Sequence, residues 1–325
     1  MSSFYYSLND YCRSTFGHKL YKLSLDGGMT CPNRDGTLGT RGCIFCSAGG
    51  SGDFSARTAL PDPYHALSSE ELCRVPALIR QQMDDAANRI QPKMPADGSG
   101  GYIAYFQAFT NTYAPTSYLR TIYHAALSCP GVEVLSIATR PDCLSDETLA
   151  LLAEIRSERK VWVELGLQTI HASTAAYIRR GYDLACFERA VKELRARDID
   201  VIVHVILGLP GESDSDMLAT IDYLAGQDIQ GIKLQLLHIL QGTDLAADYE
   251  AGHCPVMEMD HYLTLVCECL RHLPPSLVVH RLTGDGPKKL LIAPTWSGNK
   301  KLVWNALQRR MQEENVIQGS HLARS

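Results

Sequence analysis

The sequence lacks the segments that direct a chain into or across a membrane. Its opening residues, MSSFYYSLNDYCRSTFGHKL, contain neither a basic start nor the apolar run of about 7–15 residues that a signal peptide needs. Its longest apolar run, VIVHVILGLPG, is shorter than the ~20 residues that span a bilayer. We therefore expect a cytoplasmic protein that has no membrane partner.

The chain also lacks the even cysteine count of a complete disulfide framework. It has eleven cysteines, and without a secretion signal this number favours reduced thiols or metal ligands. Three of them, Cys31, Cys43 and Cys46, share a loop (residues 31–46, the cysteine loop) that is rich in glycine and poor in large apolar side chains. Most of the others lie among apolar or helical residues, where buried structural thiols are expected: Cys12, Cys73, Cys129, Cys143, Cys186, Cys254, Cys267 and Cys269.

What the sequence does contain is a regular alternation of two kinds of segment. Short runs rich in Val, Ile, Leu and Tyr alternate with stretches of helical periodicity, such as residues 145–158, where Ser145 is a predicted cap. Strands apolar enough to be covered on both faces, separated by helices, indicate parallel βα units. The predicted strands are residues 19–25, 101–106, 132–139, 160–167, 200–209, 231–239 and 276–282.

Six or seven such units predict an α/β protein with an incomplete TIM barrel of the (β/α)6 type. We expect residues 1–18 to form an N-terminal extension and residues 19–240 to form the partial barrel. Residues 241–325 are expected to form a basic C-terminal extension that completes the barrel mouth.

The cysteine loop follows the first predicted strand, and in barrel folds the loops after the strands build the active site. A closed structural zinc site takes four ligands, whereas a cubane iron–sulfur cluster held by three cysteines leaves one iron open to a small molecule. Glycines let the backbone approach such a cluster and donate N–H groups to its sulfurs. The loop therefore predicts a 4Fe–4S cluster, and the alternative is a zinc knuckle completed by His18 or His65.

Seven segments spread over nearly the whole chain carry a family pattern: GGMTCPNRDGTLGTRGCIFC, AYFQAFTNTYAP, ATRPDCL, ELGLQTIHASTAAYIRRGYD, VILGLPGES, GIKLQLLHILQGTDLA and LIAPTWSGNKK. Together they resemble the radical SAM superfamily, and within it the YhcC-type branch, which is related to the radical SAM domain of the elongator catalytic subunit. Eleven residues separate Cys31 from Cys43, where three are usual in the superfamily, and this longer spacing is similar to that branch.

The resemblance implies two cofactors, a 4Fe–4S cluster on Cys31, Cys43 and Cys46 and S-adenosylmethionine (SAM). It also implies an electron donor such as flavodoxin or ferredoxin. The expected activity is reductive cleavage of SAM to methionine and a 5'-deoxyadenosyl radical, which abstracts hydrogen from a substrate.

Matching the family's motifs residue by residue assigns a SAM site. The residues it implies are Gln107, Thr110 and Asn111 for the amino end, Glu164 and Gln168 for the ribose and amine, Arg180 for the carboxylate, and Ile206 and Leu207 for the adenine. The alternatives are that Gln168 merely ends a strand and that Arg180 pairs with Glu188. Residues in or just after later strands are substrate-side candidates: His204 and, as catalytic candidates, Lys233, His238 and Arg281.

The substrate is predicted less directly. Residues 286–312 contain no acid and six basic residues, although the chain as a whole has a net charge of −5: Lys288, Lys289, Lys300, Lys301, Arg309 and Arg310. Such a block is typical either of a surface that binds a phosphate backbone or of a solvated helix face. Kinship to elongator implies tRNA as a partner and modification of the C5 side chain of its wobble uridine.

Two alternatives remain open at this point. GLQ, Arg180 and GLPGE also resemble the coproporphyrinogen dehydrogenase branch, which implies a small-molecule substrate such as a tetrapyrrole. A non-enzyme alternative is an iron–sulfur or zinc redox sensor that uses the three thiols. A sensor would need neither Gln168 nor Arg180 nor the loop at residues 208–212.

Overall fold

A parallel sheet of seven strands, paired in chain order, forms the frame of the structure. The computed structural model describes residues 4–50, 60–65, 67–284 and 286–322. The strands of the sheet are β1 (Leu20–Leu25), β2 (Gly101–Phe106), β3 (Val132–Thr139), β4 (Lys160–Gln168), β5 (Asp200–Leu207), β6 (Gly231–Leu236) and β8 (Val278–Arg281). Strands β7 (Ile239–Leu240) and β9 (Leu291–Ala293) form a separate antiparallel pair. The prediction of an incomplete α/β barrel is confirmed.

The predicted strands at residues 101–106 and 132–139 agree with β2 and β3 in every residue. The run at residues 231–239 is wrong as a single strand, because β6 ends at Leu236 and β7 begins at Ile239. Helices occupy most of the connections: α1 (Leu8–Phe16), α2 (Ser69–Ile90), α3 (Thr116–Leu127), α4 (Asp146–Glu158), α5 (Ala172–Tyr177), α6 (Leu184–Arg195), α7 (Asp214–Ala225), α8 (Asp244–Glu250), α9 (Met259–His272) and α10 (Lys300–Glu313).

Local sequence signals explain where several helices begin. The predicted cap at Ser145 is confirmed, since its hydroxyl oxygen accepts a hydrogen bond from the backbone N–H of Thr148 at 3.2 Å. Ser68 and Ser213 begin α2 and α7 with reciprocal capping boxes. Such caps satisfy N–H groups that the first helical turn leaves without partners.

The two faces of the sheet have different surroundings. The outer face carries Val163 and Leu165 of β4 into the main apolar core beneath the helices. The inner face carries Trp162 and Glu164, because successive side chains of a strand point to opposite sides. At the lower end of this inner face, α1 packs against Trp162, with the ring of Tyr11 centred 6.0 Å from it. The lower interior is therefore filled, and the upper interior is left to polar side chains.

The cysteines outside the cysteine loop are buried to different degrees. Cys12, Cys254, Cys267 and Cys269 are buried, as expected for structural thiols. Cys129, Cys143 and Cys186 are half-buried, and Cys73 is exposed on α2, so burial was the wrong expectation for Cys73. All eleven cysteines are free thiols. Among the described residues, no helix combines the length and the apolar character needed to cross a membrane.

Candidate functional site

A cleft at the carboxyl ends of the strands brings most of the predicted site residues together. It is open to solvent, and its empty volume, solvent-exposed space included, is about 1100 Å³. Its lining includes the three thiols of the cysteine loop and nine of the other predicted residues: Gln107, Thr110, Glu164, Gln168, Arg180, His204, Ile206, Lys233 and Arg281. The carboxyl ends of parallel strands meet at one end of a barrel, so residues distant in sequence converge there.

The cysteine loop is held in place by side chains within it. The Asn33 amide Nδ2 donates to the carbonyl of Arg179 at 2.7 Å and lies 3.4 Å from the Sγ atom of Cys43. The Arg34 guanidinium donates to the carbonyls of Cys46 and Ser47 at 2.9 and 2.7 Å. These bonds are made within the protein, and they stabilise the conformation of the loop.

The thiols do not lie as close together as the ligands of a single zinc ion would. Two sulfurs on one zinc ion lie at most about 4.6 Å apart, because each Zn–S bond is about 2.3 Å. The three thiols of the cysteine loop do not all lie within 4.8 Å of one another. Nor do the two histidines of the zinc alternative complete such a site, since His18 pairs with Glu133 and His65 pairs with Asp62.

The surroundings of the thiols suit the binding of a metal cluster. All three are half-buried, and the Asn33 amide supplies a hydrogen-bond donor to sulfur, as metal-bound thiolates often receive. Burial raises the pKa of the Cys43 thiol to about 11. This thiol is therefore neutral at physiological pH unless a positively charged metal centre stabilises its thiolate.

Arg180 lines the cleft, and its guanidinium reaches the carboxyl end of β4. Its Nη1 atom donates to the carbonyls of Leu167 and Thr169 at 3.0 and 2.6 Å, and its Nε atom donates to the Tyr182 carbonyl at 3.0 Å. It has no ion-pair partner among the described residues. The alternative pairing with Glu188 is wrong, because that carboxylate accepts a hydrogen bond from Tyr223. An arginine held by carbonyls keeps its positive charge available to an anion.

Gln168 closes β4 in an unusual backbone conformation. Its φ of 64° lies in the left-handed region, beside a bulge in the pairing of β4 with β5. A side chain other than glycine rarely adopts this conformation, and such residues cluster at functional sites. Gln168 and Gly166 both line the cleft, since alternate residues of a strand lie on the same face.

Two cleft residues were missed as site candidates by the sequence reasoning. Arg140 forms a two-bonded ion pair with Asp142, at 2.9 and 2.7 Å. The ring of Tyr182 lies between two guanidinium groups, 5.0 Å from that of Arg140 and 4.9 Å from that of Arg180. Both residues stand in segments that carry the family pattern, ATRPDCL and IRRGYD, so a signal was present.

The floor of the cleft is a charged network centred on Glu164. This side chain is 1% exposed, and its carboxylate accepts hydrogen bonds from Lys22 at 3.0 Å, from Ser136 at 2.9 Å and from the Lys233 ammonium. The His204 Nε2 atom also lies 2.7 Å from it. Glu164 therefore contacts lysines from both flanks of the sheet while it lines the cleft, and its role at the ribose stays a prediction.

Burial and charge determine the protonation states on this floor. Burial alone would raise the pKa of Glu164, but Lys22, Lys233 and His204 together hold it well below its ordinary value, so the group is ionised. Burial and the Lys233 charge lower the pKa of His204 to about 4, which makes this imidazole neutral. Burial, Lys22 and Arg281 lower the pKa of Lys233 from its ordinary value, against the attraction of Glu164.

Three predicted residues lie outside the lining of the cleft. Asn111 is fully buried, and its Nδ2 donates to the Ala138 carbonyl at 2.9 Å, which ties the loop after β2 to β3. Leu207 faces the outer apolar core, because its neighbour Ile206 takes the inward position. His238 lies in an adjoining chamber, where its Nε2 atom is 3.1 Å from the Ser297 hydroxyl.

The six basic side chains of residues 286–312 differ in whether they are available to bind a ligand. Arg310 is not available to a phosphate, because its guanidinium pairs with Asp260 and donates to Thr264 on α9. The other five basic side chains are exposed: Lys288, Lys289, Lys300, Lys301 and Arg309. The indole of Trp304 is 43% exposed on the same helix, α10.

Comparisons with known proteins agree with the geometry. A family model described as the radical SAM superfamily matches residues 38–224, and one described as the radical SAM C-terminal domain matches residues 229–313. The protein YtqA of Bacillus subtilis (strain 168) is 44% identical over 98% of this chain and 93% of its own length. The protein YhcC of Escherichia coli (strain K12) is 37% identical over 95% of this chain and 92% of its own.

Two more distant similarities involve archaeal proteins. A tRNA uridine(34) acetyltransferase of Methanocaldococcus jannaschii is 23% identical over 56% of this chain and 33% of its own length. The solved structure of Methanocaldococcus infernus Elp3 with an N-terminal deletion superposes with a TM-score of 0.61 at 15% identity. That match covers 92% of this chain and 64% of the Elp3 chain, and it shows the same fold.

Proposed function

The chain belongs to the radical SAM superfamily, in its YhcC-type branch, and we propose that the cleft described above is its active site. The cofactors of this family are a 4Fe–4S cluster and SAM. In the proposal, Cys31, Cys43 and Cys46 hold the cluster, and the wall that includes Gln168 and Arg180 holds SAM. When bound, the two cofactors supply a 5'-deoxyadenosyl radical that abstracts hydrogen from a substrate carbon.

The proposal is supported by the convergence of two distant segments of the chain on one cleft. The cysteine loop after β1 and the arginine that follows β4 border one cleft, although more than a hundred residues separate them in the sequence. A redox sensor needs the thiols but not a buried arginine whose only described partners are carbonyl groups and an aromatic ring. The guanidinium is suited to bind the SAM carboxylate, because it is a planar fork of donors with a permanent charge.

The remaining residues of the cleft have distinct tasks in this proposal. Ile206 offers an apolar edge against which an adenine can pack. The Asn33 and Arg34 side chains keep the cysteine loop in one conformation, so that cluster binding does not have to order it. The packed lower interior, where α1 contacts Trp162, closes the far end of the barrel to solvent, which protects a radical from side reactions.

Anaerobic reconstitution tests the cofactor assignment. The wild-type chain should bind about four irons and four sulfides and should cleave SAM when reduced. Cys43→Ala should lose both properties, whereas Cys73→Ala, which changes an exposed thiol on α2, should keep them. One zinc ion per chain with no sulfide, or full activity in Cys43→Ala, would contradict the proposal.

For the substrate, we propose the C5 side chain of a tRNA wobble uridine. Support comes from the partial similarity to a tRNA uridine(34) acetyltransferase and from the exposed basic side chains near and on α10. Lysine and arginine bind RNA through its phosphates, and a target base can be splayed out of its loop into a cleft. The exposed Trp304 ring adds a surface on which an unpaired base can stack.

Charge reversal tests the RNA proposal. Replacing Lys289, Lys301 and Arg309 by Glu should remove most of the affinity for tRNA and flatten its salt dependence, because fewer counterions are then released. Arg310 is left unchanged, since its pairing with Asp260 stabilises the fold. Two exposed basic residues of α6 serve as the control, Arg189→Glu with Lys192→Glu. Equal tRNA binding by the wild type and the first variant would favour a small-molecule substrate instead.

A further inference from the structure

A second chamber opens from the cleft on the side of β6 and β8. Its empty volume, solvent-exposed space included, is about 760 Å³. It shares six lining residues with the cleft: Phe45, Cys46, Gln107, Ile206, Gln235 and Arg281. His238, Leu236 and Pro287 belong to the chamber alone. Because Cys46 borders both spaces, a molecule in the chamber would lie next to the cysteine loop and beside a molecule in the cleft.

Arg281 stands at the boundary of the two spaces, at the end of β8. It is half-buried, and within the described part of the chain no hydrogen-bond acceptor or carboxylate pairs with its guanidinium. The other arginines of the cleft differ in this respect: Arg140 pairs with Asp142, and Arg34 and Arg180 donate to carbonyl groups. A half-buried guanidinium that no described side chain pairs with is suited to bind an anionic ligand, because it is a planar fork of donors with a permanent charge.

The charges around Arg281 also favour an anionic ligand. Among the described residues that line either space, Glu164 is the one carboxylate, and it already receives hydrogen bonds from Lys22, Lys233 and Ser136. Lys233 stands opposite Arg281 in the pairing of β6 with β8. The described lining of the boundary therefore has more basic than acidic side chains.

We propose that Arg281 binds a negatively charged group of the substrate, a carboxylate or a phosphate, at the boundary between the chamber and the cleft. The inference rests on the proposed function, because it assigns the cleft to SAM and the chamber to the substrate. An anion fixed by Arg281 would anchor the substrate with its neighbouring carbon atoms toward the cleft. The polar group that gives this specificity is thus separate from the groups that hold the cofactors.

Calorimetric titration of the full-length chain, loaded with cluster and SAM, tests the proposal. The probes are succinate, inorganic phosphate and the neutral succinamide, each at constant ionic strength. The wild type should bind one of the two anions but not succinamide, and the preferred anion identifies the charged group as carboxylate or phosphate. Arg281→Gln should bind it at least about tenfold more weakly. Arg281→Lys, which keeps the charge but loses the planar fork, should be intermediate.

The control is Arg189→Gln, which removes an exposed arginine on α6, outside the proposed RNA surface, and should leave anion binding unchanged. SAM affinity and iron content should be the same in all four proteins. Equal anion binding by Arg281→Gln and the wild type, or no anion binding by the wild type, would overturn the proposal. A loss of SAM affinity in Arg281→Gln would also overturn it, since the residue would then serve the cofactor. Failure of the proposed function is distinguishable, because it would appear as a wild type without cluster or SAM cleavage.

Discussion

Removing the charge of Glu164 should destabilise the protein far more than removing a surface carboxylate. Glu164 is 1% exposed and is the carboxylate acceptor shared by Lys22 and Lys233, so Glu164→Gln leaves two ammonium groups at the cleft floor without a counter-charge. Removal of one partner of a buried ion pair costs about 3–5 kcal/mol. For a chain of 325 residues, with an unfolding entropy of roughly 2.1 cal/mol/K per residue, this cost lowers the Tm by about 4–7 °C.

The difference in the free energy of unfolding between the wild type and Glu164→Gln depends on pH through Glu164 and Lys233. The folded-state pKa of Glu164 is lowered, so its contribution is complete above the unfolded value of about 4.3 and is lost as the pH falls. In the variant, Lys233 is buried beside Lys22 with no carboxylate, and its folded-state pKa lies below the unfolded value of about 10.4. The unfolded variant then binds more protons than the folded variant, so the variant gains stability as the pH rises from 7 to about 9. It gains more than the wild type, in which the attraction of Glu164 offsets part of the lowering of the Lys233 pKa.

Thermal unfolding followed by circular dichroism, under anaerobic conditions at pH 7 and at about pH 9, measures both effects. The double variant Glu164→Gln/Lys233→Met should recover part of the loss, because it also removes a lysine that has lost its partner. Glu154→Gln, in the exposed pair with Arg120, is the matched control and should unfold with the wild type. A Tm for Glu164→Gln within about 1 °C of the wild type, or a double variant less stable than the single one, would refute the reasoning.

Three further results are expected. Arg180→Lys should weaken SAM binding by about 1.5–3 kcal/mol while the iron content stays the same, as measured by equilibrium binding; unchanged affinity would mean that another group binds the carboxylate. The His204 imidazole, with a pKa of about 4, should show no titration by nitrogen NMR between about pH 6 and 8, and a midpoint near 6.5 would show that burial does not control it. Asn33→Ala removes an N–H donor to the Cys43 sulfur and should lower the reduction potential of the cluster in anaerobic titration, whereas an unchanged potential would leave Asn33 with a role in loop structure alone.

Much of the framework could be predicted from local sequence. Apolar runs bounded by Gly, Pro or Asp indicated all seven strands of the sheet, and Ser145 marked the start of α4. Three thiols in one glycine-rich loop after the first strand indicated the site, because the topology of parallel strands fixes the end of the barrel at which such loops meet. These features depend on residues that are close together in the chain.

Other features depended on how the strands are arranged in space. For β5, apolar residues on both faces give no alternation, so the sequence could not show that Ile206 faces the cleft and Leu207 the outer core. The end of the strand at residue 236 was hidden in the same way, because the apolar run continues into β7.

The charge network was decided by the tertiary structure alone. Lys22, Glu164 and Lys233 lie on β1, β4 and β6, and they meet only because the sheet curves and its register brings their inward positions together. The tertiary structure also decided the partner of Arg310. The sequence left its charge open to an RNA phosphate or to solvent, and Asp260 of α9 neutralises it. The sequence by itself determined the strands, the caps and the thiol loop, since these follow from local spacing. Only the folded chain decided which charges have partners and which, like that of Arg281, face the cleft with no partner among the described residues, because pairing depends on distances between segments that the sequence does not specify.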